Sequence, residues 1–232
     1  MPVKVSLKDL LESGAHFGHQ TKRWNPKMEE FLYGSQEGVH VFDLTITKER
    51  LEEALSFLTQ ATKEGKKILF VCTKKQAKAK AKEVAQATDT YFVTERWLGG
   101  TLTNFEQIEK SLKKMAEMKE KMAAGEYNHF TKKERLLLER EITRLERFFG
   151  GMSGMEKIPD ILVVVDTKRE AGVLKEAQKK GVETVGIVDS NADPTEVDYP
   201  IPMNDDASKA LEYVLDLMGK AILEGKKKTK KK

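Results

Sequence analysis

Two stretches of the chain place cations where elementary electrostatics disfavours them. In Ile158-Pro-Asp-Ile-Leu-Val-Val-Val-Asp-Thr-Lys-Arg-Glu170, an unbroken apolar run ends at Asp166 and Thr167-x-x-Glu170 has the form of a helix capping box. Lys168 and Arg169 then fall in the first turn of the expected helix, which is closed by Gly181. A helix N-terminus favours negative charge, so each cation costs about 0.3–1 kcal/mol unless an anion is bound. The strand Ile68-Leu-Phe-Val-Cys72 repeats the arrangement, running into Thr73-Lys-Lys-Gln76 with Lys74 and Lys75 in the box. Helix N-termini at the carboxyl ends of parallel strands take phosphate readily, and two such edges together point to phosphate binding. Solvated surface lysines are the alternative reading.

Other cations extend the pattern. Lys22-Arg23-Trp24 and Arg96-Trp97 set bases beside aromatic rings, suited to pairing with phosphate and stacking on nucleobases, although both tryptophans could equally serve the core. Lys74, Lys78 and Lys82 recur along one helix face, while Ala77, Ala81 and Val84 can face the sheet. No catalytic set assembles, and the P-loop and G-x-G-x-x-G signatures are absent, so neither an enzyme nor a bound cofactor is expected. Cys72 lies in an expected strand and reads as core. His16 and His19 lack the cysteine or acidic neighbours of a metal pair. Asp189, Asp193, Asp205 and Asp206 could share a hard cation, with solvated turn carboxylates as the alternative.

These residues need a frame. The run Ile161–Val165 is β-branched and does not alternate, as in a central strand of a parallel sheet covered on both faces. Strands at 68–72, 91–93, 161–165 and 184–188 alternate with helical segments, and a short edge strand near 199–201 precedes a final helix over 207–223. Upstream, Ser6-x-x-Asp9 opens a short helix with Leu7, Leu10 and Leu11 inward. Residues 15–27 read as an ordered loop. Residues 31–33 and 39–42 form a hairpin, and a helix covers 47–64. Between the second and third parallel strands, Thr103-x-x-Glu106 starts a long helix on Phe105, Ile108, Leu112, Met115 and Met122. Thr131-x-x-Glu134 starts a partner on Leu138, Ile142, Leu145 and Phe149. The expected organisation is an α/β domain of residues 1–102 and 150–224, a helical hairpin insertion over 103–149, and a disordered basic tail over 225–232.

Composition agrees with a charged partner. Of 232 residues, 39% are apolar and 34% charged, enough for one large core and an extensive polar surface. Net charge is +4, yet six lysines from Lys226 onward account for it: without them 35 bases face 37 acids. The imbalance is local, with eight lysines and one acid between Lys63 and Lys82, and nine acids and one base between Glu183 and Asp216. No membrane span or signal peptide is expected, and a single cysteine fits a reducing cytoplasm.

Several stretches carry a resemblance. Gly14-Ala-His-Phe-Gly-His-Gln-Thr-Lys-Arg-Trp-Asn-Pro-Lys-Met28, Gly38-Val-His-Val-Phe-Asp-Leu44, Arg96-Trp-Leu-Gly-Gly-Thr-Leu-Thr-Asn104, Pro159-Asp-Ile-Leu-Val-Val-Val-Asp166 and Asp189-Ser-Asn-Ala-Asp-Pro194 resemble, in order, the bacterial small-subunit ribosomal protein S-two family. The resemblance implies a flavodoxin-like parallel sheet with a protruding coiled-coil hairpin, and a structural, non-catalytic role in the cytoplasmic ribosome. It implies small-subunit ribosomal RNA as partner, together with other small-subunit proteins, notably ribosomal protein S-one. RNA contacts are then expected from Lys22, Arg23 and Trp24, from Arg96 and Trp97, and from the basic hairpin face with Lys113 and Lys114. They join Lys74, Lys75, Lys78, Lys168 and Arg169. The rival expectation is a flavodoxin-like domain binding a nucleotide or a phosphorylated small molecule at the same edge.

Overall fold

The computed structural model describes residues 3–229. Five short apolar segments pair in parallel: β4 (Ile68–Val71), β5 (Tyr91–Val93), β6 (Ile161–Val165), β7 (Glu183–Val188) and β8 (Tyr199–Pro202). Their spatial order is β5-β4-β6-β7-β8. Counted from the first parallel strand this is 2-1-3-4-5, the flavodoxin-like order, in which the direction of winding reverses between β4 and β6.

The uninterrupted apolar runs are explained by two cores. Ile68, Phe70, Ile161, Val163 and Val165 share one cluster with α2 (Leu44–Lys63), α3 (Lys78–Ala87) and α7 (Ser208–Thr229). Leu69, Val71, Leu162 and Val164 belong to the other, beneath α6 (Ala171–Lys180) and α4 (Phe105–Ala123) with α5 (Lys132–Phe149). Alternate side chains point to opposite faces, so a strand covered on both sides must be apolar at every position.

The N-terminal segment is more ordered than its mixed composition suggests. Residues 15–27 include β1 (Phe17–Gln20), which pairs with β3 (Val39–Phe42); β3 also pairs with β2 (Leu32–Gln36), giving an antiparallel sheet β1-β3-β2. Gly18 permits the approach, since a Cβ there would stand 2.9 Å from the Ser190 hydroxyl. Before it, α1 (Leu7–Glu12) buries only Leu10; Leu7 and Leu11 are exposed rather than inward.

Helices α4 and α5 pack on each other and are linked by Lys114–Glu141 and Lys119–Glu146 ion pairs of 3.3 and 2.7 Å. Of the expected capping boxes, Thr131–Glu134 forms with both bonds in place. Thr103 instead turns to another partner, and α4 begins at Phe105 after Asn104. At the far end α7 runs on to Thr229, with Lys226 donating to the Asp89 carbonyl, so the expected disordered tail is helical from 225 to 229. Residues 230–232 lie outside the described residues.

The return from α5 to the sheet passes Gly151, where a Cβ would sit 2.1 Å from the Phe92 carbonyl oxygen of β5. Backbone cannot yield as a flexible side chain does. Gly151→Ala is therefore expected to destabilise the fold by about 3 kcal/mol. Gly154→Ala, with nothing within 4 Å but a φ of +76°, should cost about 1 kcal/mol through backbone strain. Chemical denaturation of the two variants checks the order.

Candidate functional site

The carboxyl ends of β4, β6, β7 and β8 carry the charged residues that the sequence singles out, but they do not treat them alike. Lys74 follows β4 and is buried, its side chain 9% exposed. Its ammonium lies against Asp205 and Asp206 from the β8–α7 turn, with Asp206 at 2.6 Å, and 3.3 Å from Asp166 at the end of β6. Burial would lower its pKa, but the bonds to Asp205 and Asp206 outweigh that and hold it above the usual lysine range. Lys74 thus serves within the protein as a counter-ion to these carboxylates.

Neither strand-to-helix turn forms the expected box. α3 begins only at Lys78 and α6 only at Ala171, so Lys74, Lys75, Lys168 and Arg169 stand in turns ahead of the helices. The halves of the two boxes bond each other across the sheet: Thr73 Oγ1 donates to Glu170 Oε1 at 2.5 Å. The Thr167 hydroxyl is buried and finds no hydrogen-bond partner among the described residues. Asp166, at a left-handed φ of 64°, accepts instead from the Arg169 N–H at 3.0 Å and fixes the turn. Glu170 supplies the negative charge at the helix start, its carboxyl raised by burial.

What remains outward is a row of cations. Lys75, Lys168 and Arg169 are exposed, and among the described residues none has a carboxylate within ion-pair distance. Arg96, just beyond β5, is the same. Lys22 and Arg23 are exposed on a turn held to the end of β7 by the Asn25 N–H bond to the Ser190 carbonyl, 2.8 Å. In sheet order these cations stand at β5, β4, β6 and β7. Trp24 is half-buried and tilts against His40, ring centroids 4.8 Å apart.

Other expected contacts are engaged at home. Lys78 pairs with Glu95 at 2.9 Å, Lys113 with Glu109 at 2.6 Å, and Lys114 with Glu141. Trp97 donates Nε1–H to Glu176 at 3.0 Å and, partly buried, packs on the core beneath α4, α5 and α6, the lower core, so it has a structural role at home. Glu176 is the site residue that sequence reasoning missed. One oxygen accepts from Trp97 and from the Gly100 N–H, the other from the N–H groups of Leu102 and Thr103 and from the Thr103 hydroxyl, all between 2.8 and 3.1 Å. Burial raises its carboxyl, but the hydrogen bonds outweigh this and hold it below the usual range.

The acidic candidates do not converge on a cation. Asp189 accepts from His19 Nδ1 at 2.9 Å and from Ser190; Asp193 caps Thr195 and pairs with Lys27; Asp205 holds Lys74. Among the described residues no group of three or more such side chains is arranged to bind a metal ion. Burial raises the Asp189 carboxyl, but His19 and the N–H groups of Asp205 and Ser190 together outweigh it and hold the group below the usual range, while the pKa of His19 rises through the same bond. Cys72, buried just past β4, has its thiol pushed up to about 12 by burial, and so is unreactive.

Fold and edge together define a flavodoxin-like protein whose ligand crevice is occupied by its own side chains, with exposed cations along the rim. Comparison with known proteins gives the family. Residues 10–225 match the family described as Ribosomal protein S2. The small ribosomal subunit protein uS2 of Coprothermobacter proteolyticus is 46% identical over 222 residues, 96% of this chain and 83% of the relative. Those of Microcystis aeruginosa and Roseiflexus sp. are 44% and 46% identical, over 98% and 95% of this chain and 85% and 84% of their own lengths. The chain belongs to the bacterial ribosomal protein S2 family. Proteins of this family are structural components of the small ribosomal subunit, a cytoplasmic particle in bacteria, and not enzymes.

Lys74→Met should destabilise the protein by about 3–5 kcal/mol at pH 8, because it strands buried carboxylates. The effect should shrink toward pH 5. Asp205 is raised to about 7 by burial and by Asp189 and Asp166, against the pull of Lys74. It binds a proton more tightly folded than unfolded, so its contribution is favourable at low pH and is lost as pH rises through about 7. Urea denaturation at the two pH values measures the difference.

Proposed function

We propose that this chain is built into the small ribosomal subunit by binding its ribosomal RNA along the carboxyl edge of the parallel sheet. The observation that carries the reading is the row Arg96, Lys75, Lys168, Arg169, Lys22 and Arg23, exposed cations with no carboxylate within ion-pair distance among the described residues, in a body of near-zero net charge. A phosphate backbone matches a line of separated charges, and recognition of this kind reads shape more than base edges. Helices α4 and α5 serve in this reading as a coiled-coil arm offering further backbone contacts. Other small-subunit proteins, among them ribosomal protein S-one, are the chain's protein neighbours in this reading.

A small phosphorylated ligand fits less well. Where the winding reverses, between β4 and β6, the crevice holds Lys74 with Asp166, Asp205 and Asp206, and these acids would repel phosphate. A cavity of about 740 Å³ opens instead at the other end of the strands, beside Lys67, Ile68 and Tyr91.

The test is the salt dependence of binding to small subunits stripped of their own copy of the protein. Replacing Lys75, Arg96, Lys168 and Arg169 with alanine should reduce the slope of log K against log salt by about 0.7–0.9 for each phosphate no longer neutralised. Alanine at Lys78 and Lys113, whose charges are already paired, should change it little. An unaltered slope in the fourfold variant would reject the assignment.

A further inference from the structure

We infer that Glu176 is a positioning residue for RNA: it holds the loop of residues 97–103, and with it both Arg96 and the start of α4, in the geometry that meets the nucleic acid. The inference rests on the RNA-binding reading and deepens it. The loop is anchored in the core by Leu102 and turned by the Thr101 bonds to the Leu98 carbonyl, but others of its N–H groups are gathered by one carboxylate. It includes two consecutive glycines, Gly99 and Gly100, the second at a φ of +92° that side-chain-bearing residues rarely adopt. Its backbone N–H groups at Gly100, Leu102 and Thr103 point toward a common centre, and that centre is the Glu176 carboxylate. Successive N–H groups turned inward form a nest suited to an anion. Here the anion is supplied from α6, more than seventy residues along the chain.

The placement makes the contact consequential. The helix that carries Glu176 starts directly after the Lys168–Arg169 turn, while the captured loop connects Arg96 to Phe105 at the start of α4. One carboxylate therefore ties the cations at the end of β6 to the cation beyond β5 and to the base of the α4–α5 pair. Trp97 reinforces the tie, donating to the same oxygen as Gly100 while packing into the lower core. Of the expected RNA contacts Glu176 bonds Trp97 and none of the rim cations, so its influence on affinity would pass through the loop to Arg96 and the helix.

Glu176→Gln keeps the size of the side chain but removes the charge and turns an NH₂ group toward donors. Trp97→Phe removes a single donor from the nest. The experiment measures amide hydrogen exchange over residues 97–104 and binding to stripped small subunits, for both variants, for Arg96→Ala and for the double variant with Glu176→Gln. Expected are faster exchange confined to the loop and the first turn of α4, and affinity lowered about tenfold by Glu176→Gln and less by Trp97→Phe. The effect of Arg96→Ala should shrink once Glu176 is replaced, because an arginine no longer positioned has less to lose. Full affinity in a folded Glu176→Gln protein, or strictly additive losses with Arg96→Ala, would overturn the inference. Should Glu176→Gln fail to fold, the Trp97→Phe protein decides by the same cycle with Arg96→Ala. Wild-type binding without salt dependence would instead remove the RNA-binding reading itself.

Discussion

The structure depends on a buried ammonium. Lys74 lies where a flavodoxin-like sheet reverses its winding, and its charge is matched by Asp166, Asp205 and Asp206, brought from the ends of β6 and β8. An unpaired charge at that depth would be far too costly, and pairing by one carboxylate leaves donors unused. With several, the lysine becomes a cross-link between three strand ends. The crevice that in such folds receives a ligand is occupied from within.

This neutralisation shapes the function that can follow. A protein that has filled its crevice with its own charges has only the rim to offer a partner. The rim cations stand on turns that the same network fixes: Asp166 binds Lys74 with one oxygen and caps the Lys168–Arg169 turn with the other. Glu176 does the corresponding work at the β5 end, where it gathers the N–H groups of a glycine-bearing loop. Internal anions thus organise the backbone, and the cations on the rim stay exposed, as the proposed binding of a large polyanion requires. The arrangement suits a protein whose role is to be held in place within a particle.

Much of the frame was legible in the chain. The run at Ile161–Val165 is apolar at every position because both faces are covered, and the Thr131–Glu134 capping box is purely local, so both could be read directly. Site residues were harder because long-range partners compete with local ones. Thr73 and Glu170 each look like half of a local capping box, yet they bond each other across the β4 and β6 turns. Thr103 has the same local form and gives its hydroxyl to Glu176 instead. Lys74 and Lys75 are adjacent and chemically identical, but one faces the acids after β8 and the other faces outward; spacing alone cannot separate them. Trp97 reads as a stacking platform until its partner, 79 residues away, is known. The resemblance of the ordered motifs named the family but could not sort cations bound within the protein from those free to bind RNA.

That sorting is open to direct measurement. Acylation of individual lysines can be followed in the free protein and in the assembled small subunit. The account predicts that Lys75 and Lys168 react readily in the free protein and are protected in the subunit, while Lys74 reacts slowly in both states. Equal reactivity of Lys75 and Lys168 before and after assembly, or protection limited to the paired Lys78 and Lys113, would contradict it.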